Sequence, residues 1–472
     1  MKQLLTAAVV IFLSGCSIPH IIEYKSPSDK TPANWSEAPP SNTARLDLRE
    51  WWKNFNDPVL NQLVEHALCN NLDLKIASQR LLAARADRQA VAAQSSPVIG
   101  VSGQTMEQRS SKELDWPKGI GRSRSQTLQL DASWEPDLFG RIRYAVDAED
   151  ANIALLEEDR RAIFTSLLAE IAANYIDLRI KQQRLAIAER NVTKLRETLD
   201  TNKRLYSAGL VSETSVALAR AEMQTAIALL PTWRASIAQH AHTIGLLVGG
   251  AADDLKASFE SSGNTLPQVP VTPASVPSDV LRARPDVRGA ERKVAVATAR
   301  ANVAIADLFP HFRIPLSLGT ASSGVGSLFS APSFVWSAAL SGSHVLFDND
   351  RRQARIEAAK AVTELQRIEF EKSIRTALRD VEDALSSVRE ESVRQNALMT
   401  AVQDHQVAVN RAEREQKVGT IDYLQLLIAQ RTLYSVEDAA MASRGQQLQG
   451  IIALSKALGG GWQNLYPDSA FQ

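Results

Sequence analysis

Few residues in this chain are of a type and spacing that could do chemistry. Cys16 is the clearest. It follows Lys2, an apolar run from Leu4 to Leu13, and the pair Ser14-Gly15. The run is too short to cross a bilayer as a helix, so residues 1–15 read as a signal peptide. A small pair before a cysteine resembles a lipobox, which implies cleavage before Cys16 and acylation of that residue. An ordinary signal peptide with a chance cysteine is the alternative. Cys69 is then alone in the mature chain and has no internal disulfide partner. Catalytic use would need a base placed beside it, and a buried structural thiol is expected instead. His240 and His242 are two apart, nearly opposite on a helix, which argues against a metal pair. The carboxylates are scattered through charged stretches, with no isolated acid pair. No Gly-x-x-x-x-Gly-Lys-Ser/Thr loop occurs, so nucleotide hydrolysis is not expected. Neither a catalytic nor a metal site is expected, and no cofactor.

The rest of the chain is built to position something other than a reacting group. Its 472 residues suffice for two or three ordinary domains, and 53 basic residues balance 53 acidic ones. That balance argues against nucleic acid as partner. Ile171, Leu178, Leu185, Val192, Leu199 and Tyr206 fall at intervals of seven, and so do Val216, Met223, Leu230, Ile237 and Ile244. Such spacing is the seam of a coiled coil. Between the two runs lies Ala208-Gly209-Leu210-Val211-Ser212. Gly209 suits a left-handed helix end, and Ser212 can cap the next helix. The turn is therefore the tip of a long helical hairpin. A second tip, Val418-Gly419-Thr420-Ile421-Asp422, recurs 210 residues later, after a seam through Val381, Val388, Val402 and Val409. Arg141 and Arg351, Gly209 and Gly419, Ala219 and Ala429, Gly249 and Gly459 share that one offset, the mark of an internal duplication.

The expected organisation follows. Residues 16–45, rich in proline and serine, form a tether from the lipid. Residues 46–260 are a first repeat, with strands at about 98–108 and 126–135 and a helical hairpin at 141–248. Pro231 lies inside its return helix and should kink it rather than break it. Residues 261–278, with four prolines, are a linker. Residues 279–460 are a second repeat, with strands at about 311–320 and 333–345 and a hairpin at 350–458. Residues 461–472 are a tail. The strand segments alternate cleanly: Leu128, Leu130, Ala132 and Trp134 on one side, with Thr127, Gln129, Asp131 and Ser133 on the other.

Four strands of membrane-crossing length are too few to close a barrel, which needs about eight or more. No apolar run is long enough for a spanning helix. Either the strands form a soluble sheet, or several copies pool strands into one barrel. Apolar faces rich in Leu, Phe and Trp, opposite Ser, Gln and Asp, favour the shared barrel. Hairpins packed side by side, copy to copy, would bury the helical seams and make a tube. The fold class expected is mainly α with a membrane β-barrel.

At this point several stretches resemble a known family. They are Trp51-Trp52 with Asp57-Pro58, Asn71-Leu72-Asp73-Leu74, Trp134-Glu135-Pro136-Asp137-Leu138-Phe139-Gly140-Arg141, Arg284-Pro285-Asp286-Val287-Arg288, Leu346-Phe347-Asp348, Ala429-Gln430-Arg431-Thr432-Leu433 and Leu458-Gly459-Gly460-Gly461-Trp462. In this order they resemble the outer-membrane channels (TolC-like outer membrane factors) of tripartite efflux pumps, in the NodT-like lipoprotein branch. Ser17 after Cys16 resembles lipoproteins sent to the outer membrane. The resemblance implies a homotrimer with a shared 12-stranded β-barrel in the outer membrane and a trimeric α-barrel in the periplasm. It implies a periplasmic adaptor (membrane fusion protein) and an inner-membrane transporter as partners. The adaptor contact maps onto Arg204, Leu205, Gly209, Leu210, Val211, Ser212, Val418, Gly419 and Thr420, although any hairpin needs glycine there. Relatives commonly carry aspartate where this chain has Ile428 and Ser215, so an acidic gate falls to Asp422, with Gln425. The function implied is passive export of small toxic compounds, with no enzymatic step. The alternatives are an outlet for type I protein secretion and a lipid-anchored coiled-coil structural or adhesion protein.

Overall fold

Alternating apolar and polar residues make the strands, and the corners that end the strands start the helices. The structure is a computed structural model of the chain. It describes residues 21–24, 35–36, 48–109, 111, 113, 122–251, 259, 266–270, 280 and 283–464. A short 3₁₀ segment, Leu48–Phe55, precedes helices α1 (Pro58–Asn70) and α2 (Leu72–Ala93). Strands β1 (Val98–Arg109) and β2 (Arg122–Trp134) follow, then helix α3 (Arg141–Ser207) and its return α4 (Glu213–Val248). The second series is α5 (Pro285–Ala306), β3 (His311–Ser322), β4 (Phe334–Ala338), β5 (Ser341–Ser343), α6 (Arg351–Lys417) and α7 (Tyr423–Ala457). Helices α3 and α6 each have 67 residues, on the order of 100 Å at 1.5 Å per residue. Cys16, the signal peptide and nearly all of the tether lie outside the described residues, as does most of the 261–278 segment.

The chain divides into two compact units. The first holds the sheet, whose order is β1-β2-β3-β4, with β5 also on β3, all antiparallel. Register aligns Val101, Leu130, Leu318 and Trp336 in one row and Ile99, Ala132, Leu316 and Ala338 in the next on that face. The opposite face aligns Gly100, Asp131, Ser317 and Ser337. There the Ser102 hydroxyl donates to Asp131, and the Ser317 and Ser337 hydroxyls lie 2.8 Å apart. The large residues of the apolar face, among them Val101, Leu130, Leu318 and Trp336, are exposed in the single chain. Strands β1 and β4 have no second neighbour among the described residues.

Two boundaries differ from the sequence reading. Strand β2 begins at Arg122, because Arg122–Ser125 pair with Met106–Arg109 and cross-strand hydrogen bonds override the polar composition. The last strand is not continuous over 333–345 but splits into β4 and β5. Its break lies opposite Pro315, which accepts from the Ala339 N–H (3.1 Å) but has no N–H to return.

The second unit carries the main core. Trp51, Trp52 and Phe55 pack edge to face, with ring centroids 6.2 and 6.1 Å apart. They join Leu60, Leu63 and Val64 of α1 against Phe164, Leu168, Ile171 and Tyr175 of α3. Asp57 caps α1, accepting from the Val59 and Leu60 N–H groups at 2.9 and 3.1 Å, and Pro58 takes the first helical position. The same carboxylate accepts from the Tyr175 hydroxyl at 2.8 Å. The Trp-Trp and Asp-Pro pairs are thus one device that docks α1 on α3. Cys69 is exposed, not buried. It lies two residues beyond Ala67, the last buried position of α1, and faces away. Helix α4 runs through Pro231 unbroken.

Arg284 organises the start of α5. It donates to Asp286 (2.6 and 3.0 Å), to Asp380 of α6 (3.2 Å) and to the Ala457 carbonyl (3.2 Å). Burial favours the neutral form of Asp286, but hydrogen bonds and charge from Arg284 outweigh it and hold the carboxyl below its usual range. Trp462 donates to the Ala283 carbonyl at 2.6 Å, and the Arg161 and Arg288 guanidiniums lie 5.0 and 5.1 Å from its ring. Each return helix ends on a left-handed glycine with a backbone close by. Gly249 (φ +78) abuts Asn70, and Gly459 (φ +72) abuts Ala283 and Arg284. A Cβ on Gly459 would lie 2.9 Å from two of those backbone atoms. Gly459→Ala is therefore expected to destabilise by on the order of 2 kcal/mol, from strain and contact together. The midpoint of thermal unfolding in detergent measures this; an unchanged midpoint would mean that the neighbouring backbone gives way freely.

Candidate functional site

The two hairpin tips are built from backbone hydrogen bonds. At the end of α3 the Gly209 N–H donates to the Tyr206 carbonyl and the Leu210 N–H to the Leu205 carbonyl, both at 2.9 Å. At the end of α6 the Gly419 N–H donates to Gln416 (3.1 Å) and the Thr420 N–H to Glu415 (3.0 Å). These are paired Schellman closures, and both glycines are left-handed, at φ +73 and +77. Nothing lies within 4 Å of a Cβ built on either one. Conformation alone therefore demands glycine there, and the space outside is open. Thr420 Oγ1 adds a bond to the Glu415 carbonyl at 2.9 Å.

Each return helix is capped by a side chain. Ser212 accepts from the Ser215 N–H at 3.3 Å, and Asp422 from the Tyr423 N–H at 2.6 Å. Asp422 is thus the N-cap of α7, a local duty that the sequence reading did not weigh. Arg204 is exposed; its carbonyl accepts from the Ala208 N–H (3.2 Å) and the Ser207 hydroxyl (2.8 Å). Leu210 and Val418 are among the most exposed apolar residues of the unit, Gln425 is exposed, and Leu205 and Val211 are half-buried.

An apolar cluster stands directly behind the tips. Leu195 and Leu199 of α3, Val216 and Ala219 of α4, and Tyr423 and Leu427 of α7 pack together. Both tips consequently sit at one end of the second unit. Tyr423 is 5 % exposed, and its hydroxyl has no hydrogen-bond partner. Burial, with the nearby Glu222 carboxylate, pushes its phenol up to about 12. Asn202, one turn from Leu199 toward the tip, is 1 % exposed with both amide atoms unpaired. Farther back, Arg184 of α3 makes a forked pair with Asp438 of α7, both bonds 2.6 Å. Its guanidinium also lies 4.2 Å from the Trp233 ring of α4. This clamp joins the two hairpins across 254 residues of sequence, and no periodicity in the sequence announces it. His240 pairs with Asn174 at 3.1 Å. Among the described residues no group of three or more His, Cys, Asp or Glu could hold a metal, and no helix is long and apolar enough to cross a membrane.

The chain thus combines duplicated long hairpins that end in open turns with a sheet that is apolar on one face. A family model described as outer membrane efflux protein matches residues 63–250 and 276–460. Probable efflux pump outer membrane protein TtgC of Pseudomonas putida is 30% identical over 470 residues, 98% of this chain and 96% of that protein. Nodulation protein T of Rhizobium leguminosarum bv. trifolii is 28% identical over 454 residues, 96% of each chain. The solved outer-membrane channel OprN matches with a TM-score of 0.85 at 32% identity, over 94% of this chain and 99% of that one. The chain belongs to the outer membrane efflux protein family. It serves as an exit duct for efflux in the bacterial outer membrane, and its work is transport, not catalysis.

The hydroxyl of Tyr423 offers a direct test of the packing behind the tips. Its raised pKa means that the folded state favours the phenol. The associated stability is full below pH 10.0, the ordinary value, and is lost as pH climbs toward about 12. Tyr423→Phe is expected to match or exceed wild-type stability at neutral pH by up to about 1 kcal/mol, because an unpaired buried hydroxyl is removed. It should also keep stability that wild type loses between those two pH values. Thermal unfolding at neutral pH and at pH 11 measures both; a variant weaker than wild type at neutral pH would reveal an essential hydroxyl contact.

Proposed function

We propose that three copies assemble into one channel, each giving its four-strand sheet to a shared 12-stranded β-barrel and its hairpins to a periplasmic α-barrel. The exposed apolar face of the sheet, with no second neighbour for either edge strand among the described residues, is the observation that carries this reading. Lipid tolerates such a sheet only when it is closed, since every backbone polar group needs a partner. The polar face, Gly100-Asp131-Ser317-Ser337, then lines a water-filled interior. Cys16 is acylated and holds the N-terminus to the membrane.

The tips dock a periplasmic adaptor (membrane fusion protein) that links the duct to an inner-membrane transporter. The contact residues are Arg204, Leu205, Gly209, Leu210, Val211, Ser212, Val418, Gly419 and Thr420. Open space around both tip glycines and the exposure of Leu210 and Val418 support it. Small toxic compounds, drugs or similar, pass through passively. Asp422 and Gln425 stand nearest the mouth as gate residues. Asp422 already caps α7, and the exposed Ile428 supplies no charge, so any gate here is only weakly acidic. The names of relatives such as TtgC support efflux over protein secretion. A coiled-coil adhesion protein would have no use for the apolar sheet face.

Two measurements test this. Purified in detergent, the protein should have the mass of a trimer and conduct in a planar bilayer. A monomer freed by cleaving the lipid anchor, without conductance, would sink the duct assembly. Separately, Gly209→Glu or Gly419→Glu should abolish drug resistance in a reporter strain while leaving trimer yield intact. Unchanged resistance would remove the docking role from the tips.

A further inference from the structure

Where β3 begins and β5 ends, the sheet meets the first turns of α6, and a cavity of about 240 Å³ opens there. Asp307, His311, His344, Arg351, Arg352 and Arg355 line it. Three guanidiniums and two imidazoles thus surround one carboxylate. Three of these groups, Asp307, His311 and Arg352, are already engaged. Asp307 lies 4.0 Å from His311, whose other ring nitrogen is 3.6 Å from Glu135. Arg352 is held by Asp348 at 2.8 Å and by the Val345 carbonyl. Arg351 and Arg355 are different. One turn apart on one helix face, they have no side-chain hydrogen bond or ion pair among the described residues.

The duplication supplies an internal comparison. At the same corner of the first repeat, Arg141 is neutralised by Glu135 at 2.9 Å. In the second repeat the residues leading into the corner, Ser343-His344-Val345-Leu346-Phe347, contain no carboxylate. Where Arg352 and Arg355 stand, the first repeat has Ile142 and Ala145. The second corner thus carries three arginines over 351–355 where the first carries two, Arg141 and Arg143, and its own carboxylates, Asp348 and Asp350, make no ion pair with Arg351 among the described residues. Beside the cavity Leu346 and Phe347 are 89 % and 84 % exposed.

We propose that this cavity binds the phosphate of a glycerophospholipid, with Arg351 and Arg355 as its ligands and Leu346 and Phe347 against its acyl chains. Forked guanidinium donors suit a phosphate oxygen pair. The inference rests on the barrel reading above. In that barrel all strand ends that join helices face the periplasm, so this corner lies at headgroup level in the inner leaflet.

The test uses the full assembled protein in detergent, titrated with phosphatidylglycerol and followed by native mass spectrometry. Wild type should retain phospholipid adducts that survive an equal concentration of inorganic phosphate. Near an anionic surface each arginine is worth roughly a fivefold preference. R351Q/R355Q should therefore lose most adducts, while R351K/R355K, which keeps both charges, should retain a large share. Equal adducts on wild type and R351Q/R355Q would overturn the proposal. Displacement by inorganic phosphate would make it a free-anion site, and loss of the oligomer in R351Q/R355Q would make it a contact between copies; either result also overturns it. Conductance of the same samples separates the layers. A conducting channel with unaltered lipid retention overturns the pocket alone, whereas wild type without oligomer or conductance overturns the barrel reading beneath it.

Discussion

The edges of the sheet govern everything else. Strands β1 and β4 each present a row of N–H and C=O groups with no neighbour among the described residues, beside an apolar face that water does not favour. In hydrocarbon each unpaired group costs several kcal/mol, so the penalty for one open edge would exceed the whole stability of an ordinary domain. The sheet is consequently an incomplete object. In the proposed trimer, strands of neighbouring copies complete it.

The helices meet a related constraint. A seam of Ile171, Leu178, Val192 and Leu199 is buried, and so are Val381, Val388 and Val409 in the second hairpin. Yet between these residues the helices carry Arg, Glu and Gln, many of them paired along their own helix, as in Arg375–Glu371 and Arg411–Glu415. Such exposed pairs add little stability. They keep a polar surface on long rods, and the clamp of Arg184, Asp438 and Trp233 supplies what the seams alone do not, a fixed link between hairpins.

Local rules were legible in the sequence because they act over a few residues. Gly209 and Gly419 are left-handed, Ser212 caps the helix that follows it, and period-two alternation marks the strands. The seven-residue seam also shows directly, apart from Tyr206, which is exposed at the tip. What was not legible depends on partners far away in sequence. Cys69 is exposed because Ala67, not Cys69, continues the buried stripe of α1. The last strand breaks because Pro315 on its neighbour lacks an N–H. Arg184 looks like any other helical arginine until Asp438 is placed beside it. Asp422 was read as a gate for its charge, whereas its nearest task is to hold a backbone N–H.

Equal helix length has a mechanical meaning. α3 and α6 have 67 residues each, and their returns have 36 and 35. The two hairpins therefore act as matched rulers, and both tips reach the same level. Inserting or deleting a heptad in one of them alone would keep its seam in phase while moving its tip about 10 Å along the axis. The mouth would then be stepped instead of flat. The reach of the tips is a property that the two halves of the gene can change only together.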